Sequence, residues 1–382
     1  MIKKYKLKNG ETRYQFQIYI GIDELTGRQL QTTRRGFKTK KEAMLKKARL
    51  ELQIANGEYK KKTVDTFKEV YKLWLETYKN TVEESTLVKT KELFDHHILP
   101  SLGDYRIAKI TIDICQKSVN KWAEYYKSYS KLKAYSARVF RFAMSREFID
   151  KNPMDLVELP RKRKTPTLEG IENKNFYSRA ELIEFLNCTK KENDMKIYTF
   201  FHLLAFTGMR KGEALALTWN DIDFDKQNII IDKAIARGNE GKLYVKPPKT
   251  GDARNVSIDK NIIKVLKNWK TVQKKIYLNL GFNTGKSSQL VFSNLKNKFI
   301  QPSQTNVWIK KVQNKYDLKK ITTHGLRHTH CTLLFEANVS LQEVQNRLGH
   351  SDSQTTYNIY THITENAQHN AINSFSNFMF SD

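Results

Sequence analysis

The chain has 382 residues, and this length predicts two or three domains whose cores draw on the 39% of residues that are hydrophobic. Its 67 lysines and arginines against 40 acidic residues give a formal net charge of +27, which favours a polyanionic partner, nucleic acid first. The sequence has no apolar run near the ~18 residues of a membrane span, no signal-peptide region, and only three widely spaced cysteines, which excludes a disulfide framework or a Cys-x-x-Cys zinc site. We therefore expect a soluble, cytoplasmic protein.

Residues 1–62 form a basic segment, in which 17 Lys+Arg against 6 Asp+Glu leave a net charge of +11. The stretch RYQFQIYIG alternates apolar and polar residues and predicts a strand, and DELTGR predicts a turn before a second strand in RQLQTTRRGF. The apolar residues on one face of the first strand are Tyr14, Phe16, Ile18 and Ile20. We expect a small antiparallel sheet that binds nucleic acid; a solvated basic hairpin without a partner is the alternative.

A helix is predicted after this sheet, because Thr39 and Glu42 in TKKE have the spacing of a capping box and Gly57 is suited to end a helix. From Thr66 the pattern is helical. The residues that recur on one helix face are Phe67, Tyr71, Trp74 or Leu75, and Tyr78. LPSLGD predicts a break from Pro100 to Asp104, and TIDICQKSVNKWAEYY and YSARVFRFAMSREF predict two further helices. After KNPMDLVELP comes a basic linker, RKRKTPTLEGIENKN, which we expect to lie on phosphates.

The last segment, from about Phe176, mixes helices with a strand-rich stretch at 228–258. In AFTGMRKGEAL an apolar helix is predicted to end at Gly208 and a new one to begin near Arg210, which would place the guanidinium at an anion site; an ordinary surface arginine is the alternative. In KPPKTGDARNV, Lys249 is predicted to occupy a turn between two strands, where an exposed loop lysine is the alternative.

The stretch HGLRHTHC offers four possible zinc ligands, which are His324, His328, His330 and Cys331. Helical spacing turns His330 away from the face of the first two histidines, and the arginine among them adds a fixed positive charge, so the pattern disfavours a metal site. RLGHSDSQTTYNIYTH offers His350, Tyr357 and Tyr360 after a helix that should end at Gly349. GFNTGKSS lacks the spacing of a phosphate-binding P-loop and follows a helical run, so we reject that interpretation.

Taken in order, the arginine, lysine, His-x-x-Arg, Gly-His and tyrosine resemble the tyrosine recombinase family, the phage and transposon integrases. TGMRKGEAL, HGLRHT, LGH and YTH match its pattern almost letter for letter, while Asn338 stands where a glycine commonly ends a helix. The resemblance covers nearly the whole chain and implies an α+β multidomain fold. Its expected parts are an arm-type DNA-binding domain at 1–62 with a small antiparallel sheet and a helix, an all-helical core-binding domain at 63–160, the linker at 161–175, and a mixed, mainly α catalytic domain with a small β-sheet at 176–382.

The resemblance also implies a set of residues that act on one DNA phosphate. These catalytic residues are Arg210, Lys249, His324, Arg327, His350 and Tyr360. The arginines and histidines would hold the non-bridging oxygens, Lys249 would protonate the departing 5′ oxygen, and Tyr360 would attack phosphorus to form a 3′-phosphotyrosine. Tyr357 is the alternative nucleophile, and Glu213 is expected to orient Arg210 without touching DNA.

The implied function is a site-specific DNA recombinase that integrates or excises a mobile genetic element without metal, ATP or another cofactor. The expected partners are double-stranded DNA at core and arm attachment sites, a homotetramer on synapsed DNA, a DNA-bending host factor and an excisionase, at the bacterial nucleoid. A tail rich in apolar residues on one predicted helix face would pack on its own domain or, as the family implies, on a neighbouring subunit. The residues of that face are Ile363, Ala367, Ala371, Phe375, and Phe378 or Met379.

Three other functions remain open. A recombinase that resolves chromosome dimers shares the catalytic residues but usually lacks the basic sheet domain. A DNA-binding regulator without activity would be expected to have lost catalytic positions. A metal-dependent nuclease would be inactivated by a chelator and would form no covalent adduct with DNA.

Overall fold

The computed structural model describes residues 2–7, 10–22, 29–56, 66–160, 175–248 and 253–349. Contacts divide the chain into two compact units, one joining residues 1–80 with 92–161 and the other joining 81–91 with 162–382. Several predicted features lie outside the described residues. They are the DELTGR turn, the helix end at Gly57, the linker up to residue 174, Lys249, and everything from His350 to the C-terminus.

The N-terminal part of the first unit is an antiparallel sheet with strand order β1-β2-β3 and one helix. Its elements are β1 (Ile2–Lys6), β2 (Thr12–Ile22), β3 (Gln29–Phe37) and α1 (Lys40–Ala55). Phe16 and Ile18 lie on the buried face of β2 and pack against Ala43 and Leu50 of α1. The predicted sheet is therefore confirmed, but β1 was not anticipated, because its IKKYK sequence has three lysines and no clear apolar alternation.

The start of α1 differs in one detail from the predicted capping box. The Thr39 hydroxyl accepts a hydrogen bond from the Glu42 N–H, as expected. The Glu42 carboxylate, however, accepts from the N–H of Lys38 at 3.0 Å, one residue before the predicted donor. The cap therefore satisfies a donor that lies outside the helix.

The rest of the first unit is helical. Its helices are α2 (Phe67–Tyr78), α4 (Leu99–Leu102), α5 (Ile112–Tyr125) and α6 (Tyr129–Ser145), whereas α3 (Glu84–Leu93) lies mostly in the 81–91 segment, which is assigned to the second unit. The helix predicted from Thr66 is confirmed, with Thr66 in a complete capping box with Glu69. Aromatic residues fill the core: Phe67 lies 5.2 Å from the Phe140 ring, and Tyr71 stacks 4.2 Å from Phe94.

The break predicted from Pro100 to Asp104 comes later than expected. A π-helical turn at Phe94–Ile98 runs directly into α4, and the N–H of Leu99 donates to the carbonyl of Phe94. Pro100 is the second residue of α4, directly after this turn. The helix therefore passes through the proline and ends at Gly103, whose N–H donates to Leu99 at 2.8 Å.

The second unit is mainly helical with two small antiparallel sheets, ordered β4-β5-β8 and β6-β7. Its elements are α7 (Arg179–Lys191), α8 (Met195–Thr207), α9 (Lys211–Ala216), β4 (Ile222–Asp223), β5 (Asn228–Ile231), β6 (Ala234–Arg237), β7 (Leu243–Lys246), β8 (Arg254–Ser257), α10 (Lys260–Asn279), α11 (Gln304–Lys315), α12 (Gly325–Glu336) and α13 (Leu341–Leu348). Helix α8 is apolar on most sides because it packs against α7, α10 and α12.

The described elements confirm the predicted α+β fold class, with a small sheet and helix first, helices next, and a mainly helical part with small sheets last. Asn338, after α12, adopts the left-handed conformation at φ 60°, as its position at a helix end predicts. No helix in the described ranges is long and apolar enough to cross a membrane.

Candidate active site

The Gly208–Arg210 turn separates α8 from α9. Gly208 ends α8 in the left-handed conformation at φ 65°, as predicted, and a Cβ there would lie 2.5 Å from carbons of both His330 and Leu348. Arg210 then starts α9, and its N–H donates to Glu213 Oε2 at 2.8 Å. Its guanidinium Nη1 donates to Oε1 of the same carboxylate at 3.0 Å. The TGMRKGE sequence thus fixes this arginine through its own helix start.

Glu213 holds a second arginine that sequence reasoning missed. Its carboxylate is 1% exposed and accepts from Arg254 Nη1 at 3.1 Å and Nη2 at 2.6 Å. Burial alone would raise the pKa of Glu213, but the hydrogen bonds and charges of Arg254 and Arg210 outweigh it and hold that pKa below its usual range. A signal existed in the sequence, because Arg254 shares the inward face of β8 with buried Val256, and an inward arginine requires a carboxylate.

Arg327 lies in the first turn of α12 and is 3% exposed. Its Nη1 donates to the Gly208 carbonyl at 2.7 Å, and its Nη2 donates to the Leu348 carbonyl at 2.8 Å. Burial, followed by the charge of Arg210, lowers the pKa of Arg327 to about 9. A guanidinium has five N–H donors, so these two bonds orient the group without exhausting it.

The C-terminal end of α13 brings the two predicted arginines together. Arg210 Nη2 donates to the Gly349 carbonyl at 3.3 Å, beside the Leu348 carbonyl that Arg327 binds. Gly349 ends α13 in the left-handed conformation at φ 64°, as predicted. Two guanidiniums therefore converge on consecutive carbonyls directly before His350.

His324 precedes α12 and lies near these arginines. Its ring meets that of His328 edge-on, with centroids 4.8 Å apart, and its side chain remains open to solvent on one side. Desolvation, followed by the charges of His328, Arg327 and Arg210, lowers the pKa of His324 to about 4. The imidazole is therefore neutral at neutral pH.

His330 and Arg347 form a brace that sequence reasoning also missed. His330 Nδ1 lies 2.9 Å from the Ala205 carbonyl and must donate to it, so Nε2 accepts from Arg347 Nε at 3.1 Å. Arg347 Nη2 donates to the carbonyls of Phe206 and Ser257, each at 3.1 Å. The pair therefore ties α8, β8, α12 and α13 together, and both nitrogens of His330 are engaged by protein.

The remaining predicted site residues, Lys249, His350, Tyr357 and Tyr360, lie outside the described residues. The described strands on either side of Lys249 are β7 and β8, which belong to different sheets. Among the residues that the structure describes, no group of three or more His, Cys, Asp or Glu side chains is placed to hold a metal ion.

Comparison with known protein families gives three matches along the chain. Residues 177–367 match the phage integrase family. Residues 66–123 match the N-terminal SAM-like domain of phage integrases, and residues 1–54 match an arm DNA-binding domain. The matches follow the order of the predicted domains.

Similar proteins extend over most of the chain. The ICEBs1 integrase of Bacillus subtilis is 28% identical over 372 residues, which cover 95% of this chain and 96% of that protein. A Tn1549 transposon integrase in complex with transposon right end DNA has a TM-score of 0.66 at 21% identity, over 81% of this chain and 99% of that one. A lambda integrase tetramer bound to a Holliday junction has a TM-score of 0.56 at 15% identity, over 93% and 94%.

At these identities the solved structures show a shared fold. The family match covers half of the chain, and it contains the Gly208–Arg210 turn and the arginines that converge on α13. The protein therefore belongs to the phage integrase family and is a tyrosine-type site-specific recombinase.

Proposed function

We propose that the chain cuts and rejoins DNA at specific sites through the side chains of Arg210, Lys249, His324, Arg327, His350 and Tyr360. The observation that carries this proposal is the convergence of Arg210 and Arg327 on the carbonyls of Leu348 and Gly349. In this described cluster Arg210 and Arg254 both pair with one carboxylate, Glu213, while Arg327 donates to backbone carbonyls. The excess of positive charge suits a phosphate, whose transition state for cleavage gains further negative charge on its non-bridging oxygens.

In the proposed reaction the Tyr360 hydroxyl gives its proton to the neutral His324 imidazole and its oxygen forms a bond to the scissile phosphorus, while the bond from phosphorus to the 5′ oxygen breaks. Lys249 gives its proton to the departing 5′ oxygen, which leaves a 5′-hydroxyl and a 3′-phosphotyrosine. His324 and His350 donate hydrogen bonds to the non-bridging oxygens beside the arginines. Because the phosphotyrosine keeps a phosphate ester in place of the broken one, the 5′-hydroxyl of another strand can reverse the step without ATP.

The domain assignment is part of the same proposal. Residues 1–62 bind arm-type DNA sites, residues 63–160 bind the core site, residues 161–175 link them, and residues 176–382 carry out strand transfer. The arm and SAM-like family matches support the first two assignments. The protein acts on the DNA of a mobile element, at the nucleoid, with a host bending factor and an excisionase as further partners. The proposed assembly is a homotetramer on two duplexes. The structure of a lambda integrase tetramer bound to a Holliday junction supports it.

The deciding experiment traps the covalent intermediate. A nicked duplex carrying the junction between element and host DNA loses the 5′-hydroxyl fragment after cleavage, so the protein stays attached to the DNA. Wild type should give a DNA-linked band on a denaturing gel with a chelator present, and Tyr360→Phe should give none. Tyr357→Phe should retain the band; its loss there alone would move the nucleophile to Tyr357.

The recombinase that resolves chromosome dimers is the second candidate, since it would share the same residues. The match of residues 1–54 to an arm DNA-binding domain favours a mobile-element integrase. Deleting residues 1–56 separates the two, because a resolvase acting at a core site alone would recombine normally without them. An integrase that needs arm sites would lose strand exchange but keep cleavage of a core duplex.

A further inference from the structure

A cavity of about 670 Å³ lies in the second unit beside His324. One wall is α11 with Lys310, another is the segment with Lys320 that leads to His324, and Lys211 of α9 closes a third side. We call this cavity the lysine cleft. Its size is within the range of ligand-binding pockets.

The lysine cleft is lined by positive charge without a compensating carboxylate. Its lining residues include Lys211, Lys310 and Lys320 but no Asp or Glu. Within the described ranges none of the three lysines forms an ion pair, whereas the neighbouring Lys319 points elsewhere and pairs with Glu181 at 3.2 Å. Three ammonium groups around one cavity attract an anion.

Polar groups and a firm base complete the cleft. The carbonyl oxygen of the Asn306 side chain accepts from Thr323 at 3.0 Å, which directs its amide donor away from that bond. The Asn175 side chain holds the wall at Thr322 by accepting from its N–H at 2.8 Å. Ile309 and Ile321 are buried beneath these groups. The walls are thus fixed by packing and by hydrogen bonds.

The position of the lysine cleft limits what it can bind. Lys211 follows Arg210 directly in the chain, so their Cα atoms are about 3.8 Å apart. His324 lines the cleft and also belongs to the proposed site. A strand whose scissile phosphate lay at Arg210 and Arg327 would therefore bring an adjoining phosphate to the cleft, because charges along one strand recur about every 3.4 Å of helix axis.

We propose that the lysine cleft binds a backbone phosphate of the cleaved strand next to the scissile one. This inference rests on the proposed function. The contact carries no base information and fixes the register of the strand, so that only one phosphate reaches the two arginines. Lys211, half-buried, is the lysine nearest to the proposed site along the chain, and Lys310 and Lys320 are exposed at the walls.

The test pairs lysine variants with single neutral phosphates. Core-site duplexes carry one methylphosphonate in place of each phosphate flanking the scissile one in turn, and affinity is measured for full-length wild type and Lys310→Gln/Lys320→Gln. In wild type, one flanking position should weaken binding about five-fold. In the double variant, which keeps Lys211, the same position should have a much smaller effect, and the slope of log affinity against log salt should fall by about 1, as expected for one phosphate.

Lys319→Gln is the control for charge loss, since it removes one positive charge next to Lys320 but outside the cleft. It should keep full sensitivity to every methylphosphonate. If the effects of the lysine variants and of the neutral phosphates were additive at every position, the cleft would not hold a phosphate of this strand. A covalent band in wild type alongside that result would overturn only this inference, whereas no band at all would overturn the proposed function.

Discussion

Arg254 and Glu213 form a two-pronged ion pair, with Nη1 to Oε1 at 3.1 Å and Nη2 to Oε2 at 2.6 Å, on a carboxylate that also binds Arg210. The two residues lie 41 positions apart and join β8 to the start of α9. Arg254 therefore acts on the proposed site as a positioning residue, through Glu213.

We expect Arg254→Ala to lower the rate of covalent adduct formation by about 10- to 100-fold. Without Arg254, the Glu213 carboxylate would attract only Arg210 and so change the position of its guanidinium. Removing one partner of a buried ion pair should also cost about 3 kcal/mol of unfolding free energy. Arg254→Lys should rescue little, since a lysine cannot bind both oxygens in parallel. Single-turnover cleavage and urea unfolding measure the two effects, with Arg237→Ala on β6 as control. Equal rates in Arg254→Ala and wild type would remove Arg254 from the site.

The same pair gives a pH prediction. The pKa of Glu213 is below its usual value in the folded protein, so its ion pairs stabilise the fold above the unfolded pKa and are lost as pH falls through the folded pKa. Without Arg254 the remaining burial raises this pKa. The acid midpoint of unfolding should therefore move to higher pH in Arg254→Ala. An unchanged midpoint would show that Arg210 alone keeps the carboxylate ionised.

The pKa of His324, about 4 in the free protein, predicts proton uptake on DNA binding. A phosphate beside the imidazole favours its charged form, so the pKa rises in the complex, and affinity increases as pH falls through this raised pKa towards the value in the free protein. Wild-type affinity should rise between pH 8 and 6 by up to about ten-fold per pH unit in this linkage, and His324→Gln should lose this dependence. Calorimetry in buffers of different ionisation enthalpy would detect the proton directly, and no uptake would contradict the assignment.

The brace between His330 and Arg347 should matter for both stability and rate. We expect Arg347→Ala to lower the unfolding free energy by about 2 kcal/mol, because three acceptors lose a charged donor. Arg347→Lys should not restore them, since one ammonium cannot replace the planar fork. If the brace sets the geometry of α13, cleavage should slow more than DNA affinity falls. A variant that unfolds more readily yet cleaves at the wild-type rate would confine the brace to folding.

Gly208→Ala should destabilise the protein by more than backbone strain alone. The left-handed conformation at φ 65° disfavours alanine by about 1 kcal/mol, and the new Cβ would meet His330 and Leu348 at 2.5 Å, which adds about 1–3 kcal/mol. Gly281→Ala is the matched control, with φ 80° and nothing within 4 Å of its Cβ. The difference between the two denaturation midpoints measures the cost of the contact between the new Cβ and these side chains. Equal midpoints would mean that α12 and α13 shift to accommodate the methyl group.

Local signals made much of the fold predictable. Gly208, Gly349 and Asn338 each end a helix where the sequence indicated, because the left-handed conformation they adopt is a local property. The break predicted to begin at Pro100 was also misplaced for a local reason. The sequence does not reveal the π-helical turn that precedes the proline and accommodates it.

The site was harder to predict, because its contacts join residues far apart in the chain. The Arg210 bond to Gly349 spans 139 positions and the Arg347 bond to Phe206 spans 141. No periodicity records such pairs, so Arg254, His330 and Arg347 were missed. The proposed roles of Lys249, His350 and Tyr360 rest on the order and spacing of family motifs, which the described residues do not test.

Arg210 and Arg327 are held close together although like charges repel, because backbone carbonyls bind both guanidiniums and the Glu213 carboxylate also binds Arg210. Folding has therefore already met the cost of crowding before any substrate arrives. An anion that binds between the arginines reduces their repulsion. Anion binding should therefore also stabilise this region. The same arginines bind the carbonyls at the C-terminal end of α13. The stability of this helix end should therefore depend on whether the arginines have an anion bound.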